Sequence, residues 1–277
     1  MTGDKMKTLY ISDLDGTLLT SDQRTSDFTN KTINELTNKG MLFSYATARS
    51  FNTSKIVTTG LKVKMPIIVY NGTLIKDGTT GDVLIKNTFD NQQAEELLYD
   101  LIQNGIYPIV YSFTDGAEHF SYIREKVSKA ESEFLFTRKG DPRDRPVESL
   151  TELISGEVFY FTCIDEQRKL EPIYNKYKDI HKCFCQRDIY TGEQWLEIIP
   201  EAASKANAVK QLKKLTGCDK TVVFGDGIND IDMFLTADES YAVANADPAV
   251  KHFATGIIAS NNDDGVAKFL LEHFERK

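Results

Sequence analysis

Three stretches of this chain, T-L-Y-I-S (8–12), I-I-V-Y (67–70) and T-V-V-F-G (221–225), are short, β-rich and nearly free of charge, and each runs into a turn carrying aspartate, asparagine or glycine. An unbroken run such as 67–70 offers no wet face, so the strand it forms must be covered on both sides. Strands of that kind, separated by helical segments, fold only as a parallel sheet with helices packed against it. The helical segments are present. Thr29 is expected to cap a helix that carries Ile33 and Leu36 on one face and stops at Gly40. Met41–Tyr45 then reads as a second strand and Pro66–Gly72 as a third. Near the other end, Ala206–Leu215 reads as a helix closed by Gly217, Asp247 with Pro248 starts another, and an amphipathic helix spans about Asp264–Phe274.

The middle of the chain has a different texture. A helix (Asn91–Asn104), strands at Ile106–Ser112 and His119–Ile123, and a long polar stretch around E-S-E-F-L-F-T-R-K-G-D-P-R-D-R-P-V-E-S come first. Glu157–Cys163, Lys182–Arg187 and Trp195–Ile199 then read as strands, with a helix at Glu166–Tyr177. Strands outnumber helices, and several alternate polar with apolar. The expectation is an α/β, Rossmann-like core built from residues 1–83 and 195–277, interrupted by an inserted α+β cap domain at 84–194.

With 33 basic and 41 acidic residues, the net charge of -8 argues against a nucleic-acid partner. No apolar run is long enough for a membrane span, and M-T-G-D-K-M-K-T-L-Y lacks the apolar centre of a signal peptide. Cys163, Cys183, Cys185 and Cys218 match neither a zinc framework nor a disulfide scaffold, so the thiols are read as reduced and the protein as cytoplasmic. The basic cluster Arg138, Lys139, Arg143 and Arg145 contains Asp141 and Asp144, which reads as a self-paired, solvated loop.

In an open parallel sheet, ligands collect at the carboxyl ends of the strands. Here those ends read D-L-D-G-T (13–17), A-T-A-R (46–49), N-G (71–72) and G-D-G-I-N-D (225–230). Asp13, Asp15, Asp226 and Asp230 therefore converge on one rim. Carboxylates that close together need compensation, and an oxygen-only donor set suits Mg2+. Given the metal, Asp13 can attack phosphorus and Asp15 can serve as acid and then base. Gly16 permits the tight turn that returns both side chains to the same cavity. Thr47 and Lys205 can hold the phosphoryl oxygens.

These motifs, in this order, resemble the haloacid dehalogenase superfamily of phosphatases, and the position of the insert resembles its Cof-like branch. The resemblance spans essentially the whole chain. It implies Asp13 as nucleophile and Asp15 as acid/base, with the Asp15 backbone carbonyl also at the metal. It further implies Thr47 and Lys205 on the phosphate, Asp226 on Mg2+, and Asp230 and Asn229 completing that shell. Arg49, Asn71 and the adjoining Gly72 match positions that face the substrate phosphate. Ala206 departs from the glycine that relatives carry after the lysine. The implied activity is Mg2+-dependent hydrolysis of small phosphorylated metabolites, such as sugar phosphates. The same core residues would also serve a phosphomutase or phosphotransferase, or a sensor that binds a phosphometabolite without turnover, and the motifs alone leave oligomeric state open.

Overall fold

The protein is described here by a computed structural model covering residues 6–187 and 193–274; the first five residues of the amino-terminal stretch lie outside it. In the opening segment β1 (Thr8–Ser12), α1 (Asp27–Asn38), β2 (Leu42–Tyr45), α2 (Phe51–Val57), β3 (Ile67–Val69), β4 (Leu74–Lys76) and β5 (Val83–Lys86) follow one another. The middle segment holds α3 (Asn91–Gln103), β6 (Ile109–Thr114), β7 (Ala117–Ile123), α4 (Lys129–Phe136), β8 (Asp144–Val147) and α5 (Leu150–Leu153). It continues through β9 (Glu157–Asp165), α6 (Gln167–Tyr177), β10 (Lys182–Arg187) and β11 (Gln194–Ile199). The chain closes with α7 (Lys205–Thr216), β12 (Lys220–Gly225), α8 (Ile231–Thr236), β13 (Glu239–Val243), α9 (Pro248–Phe253), β14 (Gly256–Ile258) and α10 (Gly265–Phe274).

Two compact units result, one from residues 1–86 with 204–277 and one from 87–203. The first is an α/β unit around a parallel sheet ordered β14-β13-β12-β1-β2. Its central strand β1 pairs with β12 on one side and β2 on the other, so Ser12 lies opposite both Phe224 and Tyr45. This register brings the residues after each strand to one rim: the Asp13 N–H donates to the Phe224 carbonyl at 2.9 Å and the Ala46 N–H to the Ser12 carbonyl at 2.9 Å. Leu9, Ile11, Phe43 and Val223 are almost wholly buried within the sheet, each such side chain contributing about 1.5–3 kcal/mol through burial.

Several local expectations shift. Ser26, not Thr29, caps α1, accepting from the Thr29 N–H at 2.9 Å; Thr29 sits inside the first turn, and its hydroxyl joins that of Ser26 on Asp264. The third strand ends at Val69 rather than running to Gly72, because the next two N–H groups leave the sheet: Tyr70 donates to the Arg49 carbonyl and Asn71 to that of Thr47. β3 then pairs antiparallel with β4, and β4 with β5, a small sheet the sequence reading left out.

The second unit is an antiparallel-dominated sheet, ordered β10-β11-β9-β6-β7-β8. Its first boundary falls at 86/87 because β5 pairs with β4 of the core. Its second falls at 203/204 because β11, at residues 194–199, is bonded between β10 and β9 inside the inserted sheet. Leu97 and Leu101 of α3 and Leu170 and Ile173 of α6 cover one face, packing on Phe161, Leu196 and Ile198. Cys163, Cys183 and Cys185 belong to that packing, and all four cysteines are free thiols. The long polar stretch is structured, forming α4 and β8. Arg143 within it is buried, gripping Asp141 and, outside the cluster, Glu118 at 2.6 and 2.8 Å, whereas Lys139 and Asp144 are exposed, so Arg143 departs from the solvated reading and the rest of the cluster does not.

Candidate active site

Asp13 leaves β1 in extended conformation, and the next residues make a tight reversal in which Asp15 (φ -70, ψ 122) precedes Gly16 (φ 75, ψ -6). Those angles describe a type II turn, whose third residue requires positive φ and hence glycine. A second constraint acts on the same glycine: a Cβ there would lie 2.2 Å from Asp226 Oδ2. Gly16 thus lets the D-L-D-G-T turn close directly onto the G-D-G-I-N-D turn that follows β12. Thr17 completes the closure, its hydroxyl donating to Asp226 Oδ1 at 2.8 Å.

Lys205, the first residue of α7 behind its Ser204 cap, reaches into this junction. Its Nζ lies 2.6 Å from Asp13 Oδ1 and 2.7 Å from Asp230 Oδ1, and all three residues are buried. Asp230 has a further task, since its Oδ2 accepts from the N–H groups of Asp226 and Gly227, both at 3.1 Å. One aspartate therefore shapes the turn and anchors the lysine together.

Burial raises the pKa of Asp13 well above the ordinary carboxylate range; Lys205 opposes this, and the Asp230 and Asp226 carboxylates reinforce it. Burial also pushes Asp226 up to about 6, with the Thr17 hydroxyl opposing. Burial alone would lower Lys205, but Asp13 and Asp230 hold it above the usual lysine value. Asp13, Asp226 and Asp230 offer carboxylate oxygens within 4.8 Å of one another. With all three carboxyls ionised, one ammonium leaves two negative charges in surplus, which a divalent cation would balance. The donors are oxygen only, with neither His nor Cys in the group, so the residues fit a hard ion such as Mg2+.

Asp15 is placed differently. Its carboxylate is half-exposed and lies outside the three-aspartate group, accepting from Arg49 Nε at 2.8 Å and Nη2 at 2.6 Å. The Asp15 side chain thus stands apart from the other three aspartates: the bidentate guanidinium pair turns its carboxylate toward the end of β2. Arg49, expected to face phosphate, holds Asp15 in this structure. Thr47 is fully buried at the end of β2, and its Oγ1 accepts from the Arg49 N–H at 3.1 Å, leaving the hydroxyl hydrogen to donate. Asn71 adopts the left-handed region (φ 54), and its Oδ1 lies 3.5 Å from Asn229 Nδ2, so those two residues meet across the rim. Gly72 faces protein rather than open space, since a Cβ there would lie 2.2 Å from the Ser204 carbonyl oxygen.

Thr17, Ser204 and Asn245 were not singled out from sequence. Thr17 was within reach, being part of the D-L-D-G-T motif, and Ser204 carries the cap signal directly before Lys205. Asn245, whose Nδ2 donates to the Gly16 carbonyl at 2.7 Å, follows a strand that opens on Glu239 and Ser240 and so lacks an apolar run.

Residues 10–270 match the family model for haloacid dehalogenase-like hydrolases. The chain belongs to that family. Among its curated relatives, the 5-amino-6-(5-phospho-D-ribitylamino)uracil phosphatase YwtE of Bacillus subtilis is 27% identical, covering 96% of this chain and 97% of its own. A second Bacillus subtilis protein of that name, YitU, is 26% identical over 96% of this chain and 97% of its own. A solved haloacid dehalogenase-like hydrolase from Bacteroides thetaiotaomicron shares the fold, with a TM-score of 0.76 at 23% identity, covering 98% of this chain and 99% of that one. Among the described residues, no helix is long and apolar enough to cross a membrane.

Proposed function

We propose that this haloacid dehalogenase-like hydrolase is a Mg2+-dependent phosphatase of small phosphorylated metabolites, sugar phosphates or similarly compact monoesters, working through a phosphoryl group held covalently on Asp13. The chain is a phosphatase by family. The observation that carries the finer reading is the buried group of Asp13, Lys205, Asp226 and Asp230 at adjoining strand ends. The relatives named for a 5-phospho-D-ribityl compound support a phosphate ester on a polyol-like carbon chain.

Asp13 and Asp226 would hold the ion, with Asp230 beside them. When bound, Mg2+ supplies charge neutralisation, allowing a carboxylate and a phosphate dianion to approach. A carboxylate oxygen of Asp13 attacks phosphorus as the bond from phosphorus to the alcohol oxygen breaks. Lys205 fixes Asp13 through Oδ1 and keeps positive charge at the spot where the phosphoryl oxygens arrive. Thr47 donates its hydroxyl hydrogen to those oxygens. Asp15 gives a proton to the departing alcohol, then takes one from the water that attacks phosphorus and restores Asp13. Because Arg49 occupies both Asp15 oxygens in the structure, the half-exposed Asp15 would turn from Arg49 and take up a proton from solvent before delivering it to the alcohol.

The test is phosphate release from a panel of phosphate monoesters, each assayed with Mg2+ and with chelator. Release that requires Mg2+ supports the reading. Binding without turnover across the panel would mark a sensor, and conversion of a hexose monophosphate into an isomer without free phosphate would mark a mutase.

A further inference from the structure

The two turns that carry the carboxylates come from opposite ends of the chain, and direct bonds between them are few: Thr17 to Asp226 is one. A third segment, the loop after β13, touches both. From this loop the Asn245 Nδ2 donates to the Gly16 carbonyl at 2.7 Å, and two residues later the Asp247 N–H donates to the Asp226 carbonyl at 3.0 Å. Asn245 is itself held, its Oδ1 accepting from the Asn261 N–H at 3.0 Å and from the Ser260 hydroxyl at 3.3 Å. The side chain is exposed, so apolar burial does not explain its geometry. Each amide atom has a partner in a different segment.

We propose that Asn245 is a positioning residue for the cation site: it staples the D-L-D-G-T turn to the loop that also holds the Asp226 backbone, and so fixes the separation of Asp13 and Asp226. The proposal rests on the Mg2+ reading above. It acts through Gly16, whose missing Cβ and left-handed backbone place it against Asp226 Oδ2, and through the adjoining Thr17. Without the Asn245 donor, the Gly16 peptide is free to tilt, and the distance between the two carboxylates is no longer set. Neighbours that orient metal ligands without touching the ion commonly contribute 10- to 100-fold in affinity.

The experiment titrates Mg2+ calorimetrically into the full-length wild type, Asn245→Ala and Asn262→Ala. Asn262 lies in the segment between β14 and α10, next to the Asn261 that holds Asn245, but its Oδ1 accepts from the Ser21 N–H and hydroxyl instead of bonding either carboxylate turn, so it controls for general loosening. Asn245→Ala is expected to weaken Mg2+ about 10- to 100-fold while Asn262→Ala stays within about threefold of wild type. Turnover of Asn245→Ala should recover most of its kcat at saturating Mg2+, with the Mg2+ requirement displaced upward. Equal Mg2+ affinity in Asn245→Ala and wild type, or equal weakening in both variants, overturns the proposal. Hydrogen exchange over residues 14–19 gives a readout independent of metal: faster exchange in Asn245→Ala alone supports the staple, and unchanged exchange refutes it. A wild type that binds no Mg2+ sinks the metal reading, and the exchange data then decide the staple separately.

Discussion

Lys205→Met removes the ammonium and leaves a side chain of similar length among three carboxylates. Lys205 is 3% exposed and contacts Asp13 and Asp230 at 2.6 and 2.7 Å. Breaking a buried ion pair from one side costs about 3–5 kcal/mol, because the partner charge stays behind without compensation. With a fall of roughly 2–4 °C for each kcal/mol in domains of this size, Tm should drop by about 10 °C at pH 8. The loss should shrink toward pH 5. Burial holds Asp13 and Asp226 above the carboxylate range, so falling pH protonates them and relieves the repulsion that the lysine no longer balances. The assay is thermal unfolding of wild type and variant in metal-free buffer from pH 5 to 8, together with phosphate release under Mg2+. Turnover should fall at least about 100-fold, as expected when a fixed charge facing the transferred group is lost. A loss of stability below about 1 kcal/mol at every pH, with turnover near wild type, would refute the reasoning.

Asp13→Asn should abolish phosphate release from an aryl phosphate while circular dichroism shows an intact fold; substantial residual turnover would remove Asp13 from the nucleophile role. Gly16→Ala should lower both stability, by about 1–3 kcal/mol from backbone strain, and Mg2+ affinity, because the new Cβ displaces Asp226; calorimetry and thermal unfolding check both. In the inserted unit, burial raises Glu131 to about 7 despite the Ser128 bonds that oppose it. The folded state therefore holds that proton more tightly, and its contribution, complete below the ordinary glutamate range, is lost as pH rises from about 4.5 to 7, by roughly 3 kcal/mol in all. Glu131→Gln should accordingly gain on wild type across that window and show a constant advantage above it, as followed by urea unfolding at several pH values.

The two aspartate turns were legible because each motif follows its strand within one or two residues, so chain connectivity alone carries the side chains to the rim. Lys205 was legible for the same reason, as the first residue of a helix. What the sequence hid depends on pairings between distant segments. Nothing local indicates that Arg49 would take both oxygens of Asp15, or that Asn245 would reach Gly16. Helix α4 escaped because its apolar residues Phe134, Leu135 and Phe136 are consecutive rather than spaced around a face. The strand β13, E-S-Y-A-V, opens on a charged and a polar residue instead of an apolar run, and β14, G-I-I, opens on glycine, so neither offers the unbroken apolar pattern that marks β1 and β3. The Thr29 cap failed because Ser26, three residues earlier, offers the same chemistry at the position where the backbone is still extended.

The account depends on Asp13 carrying the phosphoryl group. Rapid acid quench of the enzyme turning over a phosphate monoester with Mg2+, followed by mass spectrometry of the peptide around residue 13, tests this directly. A phosphoryl adduct on Asp13 in the wild type, absent from Asp13→Asn and from chelator-treated enzyme, is the expected result. Steady turnover in which the adduct sits on another residue, or in which rapid sampling finds none while water attacks the substrate in a single displacement, would contradict it.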